Sequence, residues 1–196
     1  MLVITGTGRS GTTALALWLK ELNLLPYEGE YIEQFFSGLE PREVKRVNSA
    51  IWLGNDAPMQ SIPAQESAIL DVDYSVIKDP MFFYGNVLDT WISVRKDLKF
   101  LIAIRKFSIV EKSRLNVGQI NQARNAQELQ SDFGKFLSTI IFNKLPYEII
   151  CFPDFLDSYK EVHTKIMALD PTLNIDFKKG EKAWKTVIKK HLVHYP

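Results

Sequence analysis

The feature that most limits the possible folds is the amino-terminal segment, where an apolar run is followed by glycines and then by a helical pattern. Residues 2–5 read Leu-Val-Ile-Thr, a β-branched run typical of a buried strand. Beyond Gly11 the apolar side chains recur at helical spacing, at Leu15, Trp18, Leu19 and Leu22. We interpret Trp18 as a core residue. A strand, a glycine turn and a helix in this order indicate an α/β fold.

The rest of the chain alternates between the same two patterns. Further strands are predicted at 76–77, 98–104 and 147–152. Helices are predicted at 41–53, 82–94, 108–115, 126–143, 153–169 and 181–191. A loop is predicted for residues 54–67, which contain two prolines. The alternation predicts a three-layer α/β fold, with a parallel sheet flanked by helices, in a single domain over residues 1–196.

Composition narrows the possible partners. The chain is 46% hydrophobic and 24% charged, which is ordinary for a globular domain. Its net charge of +1 predicts no nucleic-acid partner, so any basic site has to be local. The single cysteine, Cys151, lies in an apolar run and is predicted to be buried. The sequence contains no apolar run of ~18–20 residues and no signal-peptide pattern. We therefore expect a cytoplasmic protein with no membrane span.

The loop between the first strand and the first helix is rich in hydrogen-bond donors. It reads Gly6-Thr7-Gly8-Arg9-Ser10-Gly11-Thr12-Thr13. Glycines let backbone amides approach an anion, and the helix N-terminus adds unpaired N–H groups. The spacing matches a phosphate-binding Gly-x4-Gly-Lys-Ser/Thr loop except that Thr12 stands at the lysine position. The positive charge comes from Arg9 instead. We interpret the segment as an anion-binding loop.

This loop resembles the 5′-phosphosulfate loop of sulfotransferases that use 3′-phosphoadenosine-5′-phosphosulfate (PAPS). The resemblance implies a P-loop NTPase-like sulfotransferase fold, with PAPS as donor and adenosine 3′,5′-bisphosphate (PAP) as product. It implies that Arg9 contacts the 5′-phosphate and the sulfuryl group. It further implies that the phosphate is held by Gly8, Ser10, Gly11, Thr12 and Thr13. Many members continue with an adenine-stacking tryptophan, whereas this chain has Ala14.

Two further segments are similar to the family's 3′-phosphate site. Arg105 follows the strand at 98–104, and Ser113 lies eight residues later. An arginine fork and a hydroxyl are suitable donors to a phosphate. Late in the chain, Lys178, Lys179 and Gly180 resemble a family loop that closes over the 3′-phosphate, with the glycine presenting its amide. The resemblance therefore assigns both segments to PAP and PAPS binding.

The expected chemistry is in-line transfer of the sulfuryl group, analogous to phosphoryl transfer. Lys78 lies in Val76-Ile77-Lys78-Asp79-Pro80, which resembles the family's Lys-x-Pro or Lys-x-His segment. Arg9 and Lys78 are therefore the predicted charge-stabilising residues. The sulfuryl group carries less charge than a terminal phosphoryl group, so no metal is expected to be required.

An alcohol acceptor needs a general base. The histidine that some members use is replaced here by Pro80. Three carboxylates after the first helix are candidates, namely Glu28, Glu30 and Glu33. We select Glu30, because Glu30-Tyr31 is similar to a Glu-Tyr-Phe segment in some bacterial members.

Two other functions stay open. A P-loop nucleotide or small-molecule kinase would bind ATP with Mg²⁺, although Thr12 in the lysine position argues against it. A non-catalytic module would bind PAP without turnover. The acceptor also stays open: it is a small molecule, a lipid or a glycan, with an oxygen or amine nucleophile. Its pocket is predicted between residues 27–53 and 116–130. The oligomeric state is unassigned.

Overall fold

The computed structural model describes residues 1–7, 9–25, 41–53, 62–116 and 125–191. Four strands alternate with helices along this part of the chain. The strands are β1 (Leu2–Gly6), β2 (Val76–Lys78), β3 (Lys99–Ile104) and β4 (Tyr147–Cys151). The helices are α1 (Thr12–Glu21), α2 (Arg42–Leu53), α3 (Ile62–Leu70), α4 (Gly85–Val94), α5 (Phe107–Asn116), α6 (Ala126–Phe142), α7 (Tyr159–Leu169) and α8 (Phe177–His191).

The strands form one parallel sheet in the order β2-β1-β3-β4. Strand β1 is central and fully buried, which explains its uninterrupted apolar sequence. Successive side chains of β1 point to opposite faces, so each face has its own core. Leu2 and Ile4 pack with α1, α7 and α8, whereas Val3 packs with α2, α3, α4 and α6. The predicted α/β class and the helix-flanked parallel sheet are confirmed.

Two of the predicted helices begin later than expected because a short 3₁₀ turn precedes each of them. Pro80 opens a short 3₁₀ turn, Pro80–Phe83, before α4 begins at Gly85. A second 3₁₀ turn, Asp154–Asp157, precedes α7. Proline fits the first turn of such a helix because it has no N–H to leave unpaired.

Three sequence predictions are corrected. The predicted loop at 54–67 is wrong from Ile62 onward, where α3 begins, and residues 54–61 lie outside the described part. Helix α8 begins at Phe177, four residues earlier than predicted. Cys151 is exposed rather than buried, because β4 is an edge strand on which Ile150 points inward and its neighbour points outward.

Two other features follow from the packing. The prediction for Trp18 is confirmed, since its side chain is completely buried in the core beneath α1. The edge of β4 is partly covered, because the Lys165 ammonium of α7 donates to the Ile149 carbonyl at 2.5 Å. A lysine at a sheet edge discourages pairing with another strand.

Among the described residues, no helix is both long enough and apolar enough to cross a bilayer.

Candidate functional site

The loop that leaves β1 is packed so closely that glycine is required at two positions. A Cβ at Gly6 would lie 2.2 Å from the Ala103 carbonyl oxygen of the neighbouring strand. A Cβ at Gly11 would lie 2.5 Å from the Phe152 ring, and its φ of 89° also favours glycine. Arg9 adopts a φ of 58°, also in the left-handed region. The glycines therefore serve close packing and a sharp turn at the carboxyl edge of the sheet.

The N-terminus of helix α1 lies at this loop. No side chain caps it within the described residues, and its first turn contains no acidic residue. Thr12 is buried and Thr13 is exposed. The Ser10 hydroxyl is completely buried, and no hydrogen-bond partner is found for it in the described structure. A buried donor without a partner is costly unless something else accepts its hydrogen bond.

Two arginines lie at the loop, Arg9 as part of it and Arg105 as the residue after β3. The Arg9 Nε donates to the Ser113 hydroxyl of α5 at 3.1 Å. One Nη of Arg105, which follows β3, donates to the Arg9 carbonyl at 3.5 Å. The fold therefore places Arg9, Arg105 and Ser113 in one cluster, although the sequence suggested two phosphate sites.

Arg105 is held as a partly desolvated cation. Its guanidinium lies 4.9 Å from the centre of the Phe152 ring, a cation–π contact. Its Nε is buried and has no hydrogen-bond partner among the described residues. Burial, followed by repulsion from Arg9, lowers the pKa of Arg105 from its ordinary value. A bound anion would relieve both effects.

A third arginine supports the loop and was missed from the sequence. Arg114 lies in the last turn of α5, is buried, and donates from one Nη to the Thr7 carbonyl. Ser113 thus accepts from the Arg9 side chain, and the next residue of α5, Arg114, donates to a backbone carbonyl of the same loop. Arg114 follows the buried Val110 by four residues, so it shares that residue's helix face. This spacing was the signal that could have identified it.

Lys78 ends β2 on the face of the sheet that α1 covers. Its register partner is Ile4, which packs beneath α1, and paired residues of parallel strands share a face. Its side chain is 3% exposed. The structure therefore places Lys78 one strand away from the loop, on the same side of the sheet.

Asp79, the next residue, lies in a separate polar network. Its carboxylate accepts hydrogen bonds from Asn48 Nδ2 and from the Met81 amide, each at 2.9 Å. Lys45 Nζ lies 3.9 Å from the same carboxylate, and Asn48 also accepts from Trp91 Nε1 at 2.6 Å. These contacts join α2, the Pro80–Phe83 turn and α4, so the role of Asp79 is structural.

The structure does not bring Lys178, Lys179 and Gly180 to the loop. They lie in the first turn of α8 rather than in a loop. The Gly180 amide donates to the Asp176 carbonyl, so it is not free to bind a phosphate. The Gly180 carbonyl accepts from Trp18 Nε1, and a Cβ there would lie 2.1 Å from the Tyr159 hydroxyl. Gly180 is therefore required for helix packing.

The direction of α8 explains this separation. Gly180 contacts Trp18, which lies in the second half of α1. One turn later Trp184 contacts Phe155, whose ring lies beside Gly11 at the start of α1. Helix α8 therefore runs toward the loop, and its first turn is the part that lies farther away.

Some predicted residues lie outside the described part of the chain. Gly8 and Glu30 are among them, as is most of the predicted acceptor pocket. Their assignments stay predictions.

The fold and the site define an α/β domain whose β1–α1 loop gathers arginine side chains and hydroxyl donors at the carboxyl edge of a parallel sheet. Ligands commonly bind at this edge in such folds. No protein-family model and no curated protein sequence matches the chain. Its function has to be inferred from its own residues.

Proposed function

We propose that this protein is a PAPS-dependent sulfotransferase, which transfers a sulfuryl group to a hydroxyl or amine acceptor. The observation that carries the proposal is the cluster of Arg9, Arg105 and Ser113 around an uncapped helix N-terminus. Two arginines so close that each bears on the other's charge, with a serine hydroxyl beside them, are suited to a ligand with more than one anionic group.

The donors of the site fit a bisphosphorylated nucleotide. The Ser10 hydroxyl and the Arg105 Nε are buried without partners in the described structure, so both can donate to a ligand. Ser10 and the α1 N-terminus would hold the 5′-phosphate, and Arg105 and Ser113 would hold the 3′-phosphate. PAPS supplies an activated sulfuryl group on its 5′-phosphate. Lys178 and Lys179 are not part of this proposed site.

Arg9 and Lys78 are the proposed catalytic residues. Arg9 is half-buried at the loop and Lys78 is buried at the neighbouring strand end, so both act in a partly desolvated environment. Positive charge in such a place stabilises negative charge that develops on the reacting oxygens more strongly than it would in water. Arg9 already shares a hydrogen bond with Ser113, which orients its guanidinium.

Glu30 stays the proposed general base for a hydroxyl acceptor. Asp79, the acidic residue next to Lys78, is excluded from this role by its contacts. Its two carboxylate oxygens already accept from Asn48 and from the Met81 amide. A base has to be within hydrogen-bond reach of the acceptor proton, and Asp79 is directed into the opposite core layer.

The first test is ligand-induced stabilisation, measured by thermal unfolding with PAP, 5′-AMP or Mg-ATP. A ligand that binds only the folded state stabilises it by about 2.7 kcal/mol at ~100 times its dissociation constant. We expect PAP to stabilise the protein more than either of the other two. Selective stabilisation by Mg-ATP would identify a kinase instead. Binding of PAP without transfer from PAPS to any acceptor would identify a non-catalytic module.

A substitution of Arg105 tests where the 3′-phosphate binds. Arg105→Met should remove most of the difference between PAP and 5′-AMP, because Arg105 is assigned to the 3′-phosphate. Arg46→Met is the matched control, since Arg46 is exposed on α2 in the other core layer. If Arg105→Met retains the full preference for PAP, the 3′-phosphate lies elsewhere.

A further inference from the structure

Helix α8 concentrates positive charge. The whole chain carries a net charge of +1 from 24 basic and 23 acidic residues. Six of those basic residues and only one of the acidic residues lie in α8, in the sequence FKKGEKAWKTVIKKH. The helix is therefore strongly basic, whereas the rest of the chain is slightly acidic. Such segregation creates a local positive potential that the net charge conceals.

Three of these lysines form a stripe. Lys178, Lys182 and Lys185 follow one another at spacings of four and three residues, so they lie on the same side of the helix. All three are exposed. Together with Glu181 and Thr186 they line a shallow surface depression of about 350 Å³. At ~1.5 Å per residue the stripe extends for about 10 Å along the helix axis.

The stripe is carried on a fixed support. The opposite side of α8 is buried against α1 and α7 through Gly180, Trp184 and Val187. Trp184 Nε1 donates to the Leu156 carbonyl at 3.1 Å, and Trp18 Nε1 donates to the Gly180 carbonyl at 3.0 Å. The lysines are therefore pre-arranged, which lowers the ordering entropy that binding costs.

The charges of the stripe are largely uncompensated. Lys178 and Lys182 form no ion pair with an acidic side chain among the described residues. Lys185 pairs with Glu181 at 2.9 Å, and both side chains are more than one-third exposed. An exposed pair of this kind contributes little. Lysines at these spacings repel one another, so an extended anion would relieve the repulsion.

We propose that the lysine stripe of α8 is a docking surface for a linear anionic polysaccharide that carries sulfate or carboxylate groups. Charge complementarity selects a polyanion, and the row of exposed lysines along about 10 Å of the helix matches successive charges of an extended chain. A bilayer is disfavoured because the apolar side of α8 is already buried and cannot insert. Single-stranded nucleic acid is disfavoured because its bases stack on several exposed rings, whereas in the described residues Trp184 is buried and only Phe177, at 41%, is exposed beside the stripe.

The direction of the helix relates this surface to the loop. Because α8 runs from Trp18 toward Phe155 and Gly11, a chain bound along the stripe extends toward the edge of the sheet that holds Arg9. Binding along the stripe does not require transfer activity, so it stands apart from the proposed function.

The test compares two double charge reversals in the full chain. Lys178→Glu with Lys182→Glu changes the stripe but keeps the Lys185–Glu181 pair. Lys135→Glu with Lys144→Glu makes the same change in net charge at exposed positions of α6 and the turn after it, in the other core layer. Binding of a heparin octasaccharide at low salt is measured by isothermal titration calorimetry, and thermal unfolding verifies that both variants fold.

We expect the stripe variant to bind the octasaccharide at least about tenfold more weakly, and the control variant to bind within about twofold of the original chain. Equal losses in both variants would reduce the effect to net charge and overturn the proposal. So would an original chain that fails to bind the octasaccharide. Tighter binding to single-stranded DNA or to phosphatidylserine-containing vesicles would assign the stripe to a different partner.

Discussion

Two polar clusters lie at the same edge of the sheet, one buried and the other half-buried, and they differ in whether their hydrogen bonds are complete. The network on the α2 and α4 side joins Asn48, Asp79 and Trp91, with Lys45 at its margin. Its amide, carboxylate and indole groups all have partners. A network of this kind holds secondary structure together and specifies one arrangement of the core.

The cluster on the α1 side is incomplete in the described structure. The Ser10 hydroxyl and the Arg105 Nε have no partner, and Arg105 is held beside a second cation, Arg9. The unpaired donors and the repulsion between the two arginines therefore raise the free energy of this arrangement. The comparison teaches that the completed network is structural, whereas the incomplete cluster is the place where a ligand contributes the missing acceptors.

Removal of the Arg9 side chain should have the largest effect. Arg9→Ala is expected to lower the rate of labelled sulfuryl transfer from PAPS by about 100-fold or more, because charge stabilisation at the reacting oxygens is lost. The rate is measured in a single turnover with a panel of hydroxyl and amine acceptors. Arg46→Ala, at an exposed site on α2, is the control. Full activity of Arg9→Ala would remove the loop from the mechanism.

A substitution in the completed network should lower the stability of the protein and leave PAP binding intact. Asn48→Ala removes one hydrogen bond from the buried Asp79 carboxylate and takes away the acceptor of the buried Trp91 indole. The free energy of unfolding should fall by about 2–4 kcal/mol, as measured by urea denaturation. The dissociation constant of PAP should stay within about twofold of its original value. A large loss of PAP affinity with little loss of stability would reverse the assignment of the two clusters.

The smallest effect is expected at Ser10. Its hydroxyl makes no hydrogen bond in the described structure, so Ser10→Ala should leave the free energy of unfolding unchanged or raise it by about 1 kcal/mol. PAP affinity should fall by about five- to tenfold, because one donor to the phosphate is lost. Thermal unfolding with and without PAP measures both quantities. Reduced stability together with unchanged PAP affinity would show that the hydroxyl has a structural partner.

The secondary structure was predictable because the apolar periodicity is strong. Strand β1 reads as apolar throughout because it is central and covered on both sides. Cys151 was misjudged for the converse reason, since local hydrophobicity does not reveal that β4 is an edge strand. Gly180 was misjudged because a Lys-Lys-Gly segment is compatible with a loop, and only the contact with Trp18 requires it in a helix.

The candidate site was predictable in part. Arg9 and Ser10 lie in the loop after β1 and Arg105 follows β3, and the carboxyl ends of parallel strands meet at one edge. Ser113 was predicted only from the resemblance of the Arg105 and Ser113 pair to the sulfotransferase 3′-phosphate site. The sequence did not reveal that Arg9 and Ser113 are hydrogen-bonded to each other. Arg114 was missed because its role is to hold a backbone carbonyl of the loop, and such a contact carries no motif.

Local chemistry in the chain is enough to specify the order of strands and helices, the glycine turn after β1 and the concentration of lysines in α8, because these depend on neighbouring residues alone. Tertiary structure decides which polar groups are completed and which are not. Asp79 and Arg105 are both charged residues that directly follow a strand. In the described structure, both oxygens of the Asp79 carboxylate accept hydrogen bonds, whereas the Arg105 Nε has no acceptor. Partners that are distant in sequence make that difference, and only packing brings them together.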